Sequence, residues 1–147
     1  KTLIVSFDGG LKVTPWHPII VNGDWNHPAT INETKTEACE AVYTLVLNSN
    51  HTFMVNNYWC ISLGHGYQVG ILQHEYYGTQ AVINDLMKLP GWYDGRVIIN
   101  TTYTVRNAVT KAVVEISPSR KTIGPSFYIG FWRISRNYDV DGAGYGV

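Results

Sequence analysis

The stretch Val13-Thr14-Pro15-Trp16-His17-Pro18 sets a hydroxyl three residues ahead of an imidazole and puts a proline directly after each. A peptide nitrogen leaves a carbonyl only when something protonates it, and His is the side chain suited to do so near neutral pH. A Thr hydroxyl at this spacing can hold the peptide or the ring by a hydrogen bond. Pro15 and Pro18 fix the backbone and hold the preceding Thr14 and His17 to extended conformations, which suits a rigid constellation. The same residues also fit a structural role, with His17 in a strand-turn-strand corner, packed between Trp16 and Trp25, its ring bonded to a backbone carbonyl. Two more histidines are candidates: His51, beside the turn Asn48-Ser49-Asn50, and His65, in Gly64-His65-Gly66. His65 and His74 lack zinc-type spacing, and no Cys-x-x-Cys exists, so neither a metal nor another cofactor is expected. The acids at 139–142 are too few for a calcium loop.

The elements that must carry these side chains read as short strands. Thr, Val, Ile, Tyr and Trp recur, with Gly, Asn and Asp between them at short intervals. Residues 1–7 form a strand ending at Asp8-Gly9-Gly10; 11–14 and 18–21 are strands on either side of the proline corner, and Asn22-Gly23-Asp24 is a turn. Residues 40–47 and 52–63 read as a hairpin, 96–105 and 112–117 as another, and 127–134 as a last apolar strand. One helix is expected near 80–89, with Thr79 as cap, a stripe of Ala81, Val82, Asp85, Leu86 and Leu89, and Pro90-Gly91 as its end. The Gly-rich tail 137–147 is expected to be loose or to pair with a neighbour. The class is therefore all-β with one short helix, and a change of character near Tyr67 divides it into residues 1–66 and an extension, 67–147, packed on them as a single unit.

Across 147 residues, 45% are hydrophobic and the formal net charge is +0, enough for one core and without the basic footprint of a nucleic-acid or anionic-membrane binder. No apolar run approaches the roughly 18 residues of a membrane span.

Two cysteines and three sequons bear on setting. In the 40–63 hairpin, pairing Leu47 with Thr52 puts Cys39 opposite Cys60. Pairing Leu47 with Phe53 instead matches Leu45 to Val55 and Ala41 to Trp59 but sends the cysteines to opposite faces, unless a bulge near Asn56-Asn57 restores a shared one. A Cys39–Cys60 disulfide is a candidate on that basis. Asn32, Asn50 and Asn100 each begin an Asn-x-Thr sequon, and N-linked glycans on them would place the chain outside the cell.

Three segments together resemble the Hint superfamily of inteins and hedgehog-type autoprocessing domains. Val13–Ile19 resembles its Thr-x-x-His block. Residues 42–56, with Val42, Tyr43, His51 and Phe53, resemble its later block, and 60–66 with 74–92 resemble the Vint version found beside von Willebrand factor A domains. The resemblance covers residues 3–117 and implies a horseshoe of short strands and self-directed chemistry. A Cys or Ser attacks the carbonyl of the residue before it, giving a thioester or ester, while Thr14 and His17 activate the scissile peptide; His51 and His65 are carried over as further site residues. Thr44 stands where many inteins have Asp, and Gly64-His65-Gly66 lacks an adjacent Asn to cyclise. Lys1 is neither Cys nor Ser and precedes His17 by 16 positions, whereas the family's nucleophile lies several dozen residues earlier. The resemblance thus implies that the first part of the domain lies outside this chain, which would be a cleaved or degenerate remnant, inactive alone. The strand Thr2–Phe7 would then be an open apolar edge, covered by the chain's own upstream fragment or by another copy donating 127–134 or the tail. The alternative function is a non-catalytic extracellular glycoprotein module that assembles through such donation, into a filament if the contact is head to tail.

Overall fold

The computed structural model describes residues 1–99, 103–117 and 128–133, the last as backbone. Twelve strands and one α-helix lie among them. The chain begins with β1 (Thr2–Ser6), β2 (Lys12–Val13), β3 (Ile19–Val21), β4 (Asp24–Asn26) and β5 (Thr34–Glu37). It continues through β6 (Ala41–Val46), β7 (Thr52–Val55), β8 (Tyr58–Ile61) and the helix α1 (Gln80–Leu86). Then come β9 (Arg96–Ile99), β10 (Thr104–Arg106), β11 (Val113–Ile116) and β12 (Tyr128–Arg133). The sheets run β2-β1-β5, β4-β3-β8-β7, β6-β12-β9 and β10-β11, so the fold is all-β with a single short helix.

Asparagines make the tight turns. Asn22 (φ 54) and Gly23 (φ 88) join β3 to β4, and Asn56 (φ 47) and Asn57 (φ 69) join β7 to β8. Two consecutive positive φ values twist a two-residue loop in the sense of the flanking strands. The second turn overturns the hairpin expected between 40–47 and 52–63. β7 pairs with its immediate successor, Phe53 opposite Cys60, and β6 is left to pair in parallel with β12. Closing a two-residue loop costs less chain entropy than the longer loop that the expected hairpin needed. The cysteine register falls with that hairpin: Cys60 is buried, Cys39 is exposed, and both are free thiols, not a disulfide. The second expected hairpin survives as β10 with β11, while β9 joins β12.

β1 is not an open edge. It is the middle strand of its sheet, with Val5 opposite Val13 on one side and Leu3 opposite Thr36 on the other. The need for a donated strand there disappears. The 127–134 segment is strand β12, inserted between β6 and β9 of its own chain, and the 137–147 tail lies outside the described residues.

Two apolar clusters support these sheets. Val5, Phe7, Leu11, Ile19 and Cys60 form one. The other gathers Tyr76, Val82, Leu86, Leu89, Trp92, Val97, Ile99, Val113 and Ile116 around Val46. The helix contributes Val82 and Leu86, both fully buried, as its stripe predicts, and the Thr79 side chain accepts the Ala81 N–H at 3.2 Å as its cap. Among the described residues no helix is long and apolar enough to cross a membrane.

After the helix, Gly91 (φ 87) turns the chain back so closely that a Cβ there would lie 2.0 Å from the Arg96 carbonyl oxygen. Gly91→Ala is expected to cost at least about 2 kcal/mol in urea unfolding, from backbone strain and overpacking together. Asn57→Gly, which only relieves a positive φ, should be neutral or stabilising. Equal stability of the two variants would contradict this account of the turns.

Candidate functional site

The strand ends of one sheet bring the candidate residues together. In the order β4-β3-β8-β7, Ile19 lies opposite Cys60 and Thr52 opposite Ile61. The first register carries His17, two residues ahead of Ile19, to the Ile61–Ser62 end of β8. The second continues past Thr52 through the Ser62 N–H, which donates to the His51 carbonyl at 2.8 Å. His17, Ser62 and His51 thus meet at one end of three adjacent strands, and His65 follows three residues after Ser62. The Ser62 hydroxyl lies 3.5 Å from His51 Nδ1.

The proline corner holds His17 in place. The His17 N–H donates to the Thr14 carbonyl at 3.3 Å, and the Ala29 N–H to the Pro15 carbonyl at 3.1 Å. The His17 ring packs edge-on against Phe53, with centroids 6.4 Å apart. Trp16, expected against His17, is instead 67% exposed and sets its ring edge-on against His27. Burial lowers the His17 pKa from 6.5 to about 4; a hydrogen bond with the Ile61 backbone opposes the shift, and His65 adds to it. Thr14 is half-buried at the end of β2.

His65 is 8% exposed, and its Nδ1 accepts the Tyr67 N–H at 3.0 Å, so the neutral ring carries its proton on Nε2. It stacks on Tyr67 with centroids 5.3 Å apart. Burial holds its pKa below 6.5, and the charges of His51 and His74 push in the same direction. His74 Nδ1 accepts the N–H groups of both Tyr76 and Tyr77, at 3.1 and 3.0 Å. Its pKa is likewise lowered by burial, against the pull of Glu75. His17, His51, His65 and His74 form one electrostatically linked set. Three of them, His17, His51 and His65, are the candidates the sequence singles out. His74 was visible there only as a zinc ligand to be excluded, and Ser62 was missed although it directly precedes the Leu63-Gly64-His65 run. Among the described residues no three His, Cys, Asp or Glu side chains stand together as a metal would need.

His17 is half-buried, and with its pKa lowered to about 4 its imidazole is neutral at pH 7. It can take a proton from a nucleophile, and its short-lived cation is a strong acid toward a leaving nitrogen. The Vint family model, described as a Hint domain, matches residues 1–115. The chain belongs to the Vint family of Hint domains. The match takes in the proline corner, β3, β7, β8, the His65 loop and the helix, and ends before β12. No curated protein matches the chain. Thr44, at the position where the Hint resemblance suggests Asp, is 8% exposed, and its hydroxyl has no hydrogen-bond partner among the described residues.

Of the sequons, Asn50 is exposed in the bend between β6 and β7, and exposed Asn32 donates from Nδ2 to the Ser6 carbonyl at 2.9 Å. Asn100 lies outside the described residues. On material secreted from a eukaryotic cell, glycan is expected first at Asn50, since Asn32 must give up or share a bond to carry one. Peptide mapping with and without glycosidase reads the occupancy, and an occupied Asn32 beside a bare Asn50 would reverse that order.

The Vint domain should also weaken in acid. With the His17 pKa lowered from 6.5 to about 4, the unfolded chain binds the proton more readily than the folded one between those values. Stability is then fully present above pH 6.5 and falls as the pH drops toward 4, by up to about 3 kcal/mol from this group. His65 and His74 act in the same direction. Urea unfolding of His17→Gln across this range should show a flatter profile than the unsubstituted chain; an identical slope would contradict the assignment.

Proposed function

We propose that this Vint domain supports self-directed peptide-bond rearrangement, an N–S or N–O acyl shift, with His17 as its proton-transfer group. The observation that carries this reading is the meeting of His17, Ser62 and His51 at one end of β3, β8 and β7, with the His17 ring held neutral by burial. In the reaction, a Cys or Ser thiol or hydroxyl adds to the carbonyl before it, and its proton passes to a base. The C–N bond then breaks as a proton reaches the leaving nitrogen. His17 serves both transfers, first as base and then as acid. Thr14 helps hold the peptide, and His51 and His65 shape the polar side of the site. The substrate is tethered, so the gain from proximity alone is large.

The nucleophile must be brought to His17 from another stretch of sequence, and the partner this reading implies is the chain's own upstream segment. The alternative, a non-catalytic extracellular module, draws no support from an open edge at β1, which is paired on both sides.

The test uses a longer precursor that includes the upstream segment. Incubation with hydroxylamine or a thiol should release two fragments, as an ester or thioester requires. His17→Ala is expected to slow release by about a hundredfold or more, the range for loss of a general acid–base group. His51→Ala should slow it less, since His51 is not expected beside the scissile nitrogen. Release at an unchanged rate in His17→Ala would remove His17 from the mechanism.

A further inference from the structure

The His65 loop is held from outside its own strand. Two backbone bonds zip it to the segment Tyr76–Thr79: Gly64 N–H to the Tyr77 carbonyl at 2.9 Å, and Gly66 N–H to the Gly78 carbonyl at 2.8 Å. Gly78 lies directly against the imidazole. A Cβ there would stand 3.0 Å from His65 Cε1, 3.1 Å from His65 Nε2 and 3.2 Å from the His74 carbonyl oxygen. The segment is itself tied to the second apolar cluster. Tyr76 is 2% exposed, and its hydroxyl donates to Asp85 Oδ2 at 2.9 Å. The same Oδ2 accepts the Ile116 N–H of β11 at 3.2 Å, while Oδ1 accepts from Lys88 at 2.9 Å. The Thr79 hydroxyl donates to the Tyr76 carbonyl at 2.9 Å and also caps the helix.

We infer that Tyr76 and Gly78 are positioning residues for His65. The Tyr76–Asp85–Ile116 knot fixes the Tyr76–Thr79 segment, and Gly78 leaves room for the imidazole to rest against it. The extension beyond residue 66 then does more than cover the β sheets: it sets the depth of one site histidine. This inference rests on the self-processing reading for its chemical purpose, while the placement of the ring can be tested independently.

The titratable groups around the ring are His17, His51, His74 and Tyr67. The experiment follows the imidazole Cε1–H signals of the 147-residue chain by NMR as the pH is changed. In Gly78→Ala and in Tyr76→Phe, which removes only the hydroxyl, the His65 titration should move up toward 6.5 as the ring gains solvent. Asp85→Asn keeps an acceptor for the Tyr76 hydroxyl and should leave the His65 titration close to that of the unsubstituted chain.

A folded Gly78→Ala or Tyr76→Phe in which His65 titrates as before overturns the inference. Failure of both variants to fold also overturns it, because the residues would then carry the fold and not the ring. In the longer precursor, Gly78→Ala is expected to slow fragment release by about tenfold through misplacement of the ring. A precursor that never cleaves would defeat the functional reading and leave the titration to decide the positioning.

Discussion

The backbone ladder of β3, β8 and β7 is the constraint on which the site depends. Because Ile19 faces Cys60 and Phe53 faces the same Cys60, three chain segments end at one place in a fixed stagger. A slip of one residue in either pairing would send every side chain to the opposite face. The buried Ile19 and Cys60 resist such a slip by holding the apolar face inward, and the Asn56-Asn57 turn fixes the second pairing from its closed end. The chemistry of His17 follows from this geometry. Its position beside β8 takes the ring partly out of water and supplies the Ile61 backbone as partner, and the lost hydration in turn favours the neutral ring.

Local signals in the sequence were read well where short-range physics decides them. Thr79 caps the helix because its hydroxyl reaches the Ala81 N–H, and Val82 and Leu86 face inward because they lie one turn apart. The Thr-x-x-His corner was visible because prolines after Thr14 and His17 limit the backbone almost by themselves. The structural expectation for His17 is met in part, since the ring bonds backbone at Ile61.

The misreadings concern partners distant in sequence. Apolar matching of Leu45 with Val55 gave a plausible hairpin, yet β6 takes β12 from the far end of the chain. Alternation shows which face of a strand is apolar and says nothing of which strand will cover its edge. Asn56-Asn57, which enters the sequence reading only as an optional bulge inside a longer strand, is the turn itself, and that turn displaces both the hairpin and the cysteine register. Ser62 and the Tyr76–Asp85 pair were hidden for the same reason, since each acquires its role only when separate elements meet.

The insertion of β12 between β6, to which it runs parallel, and β9, to which it runs antiparallel, also governs the order of events in time. Both flanking strands emerge from the ribosome well before the strand that joins them, so each presents unsatisfied backbone groups during synthesis. The β3-β8-β7 ladder, drawn from the first part of the chain, has all its strands early. Such non-local pairing must be reached through costly loop closure and is slow. A nascent chain would thus assemble its histidine end first and close the β6–β9 gap last, leaving a window in which chaperones or misassociation compete for the exposed strands.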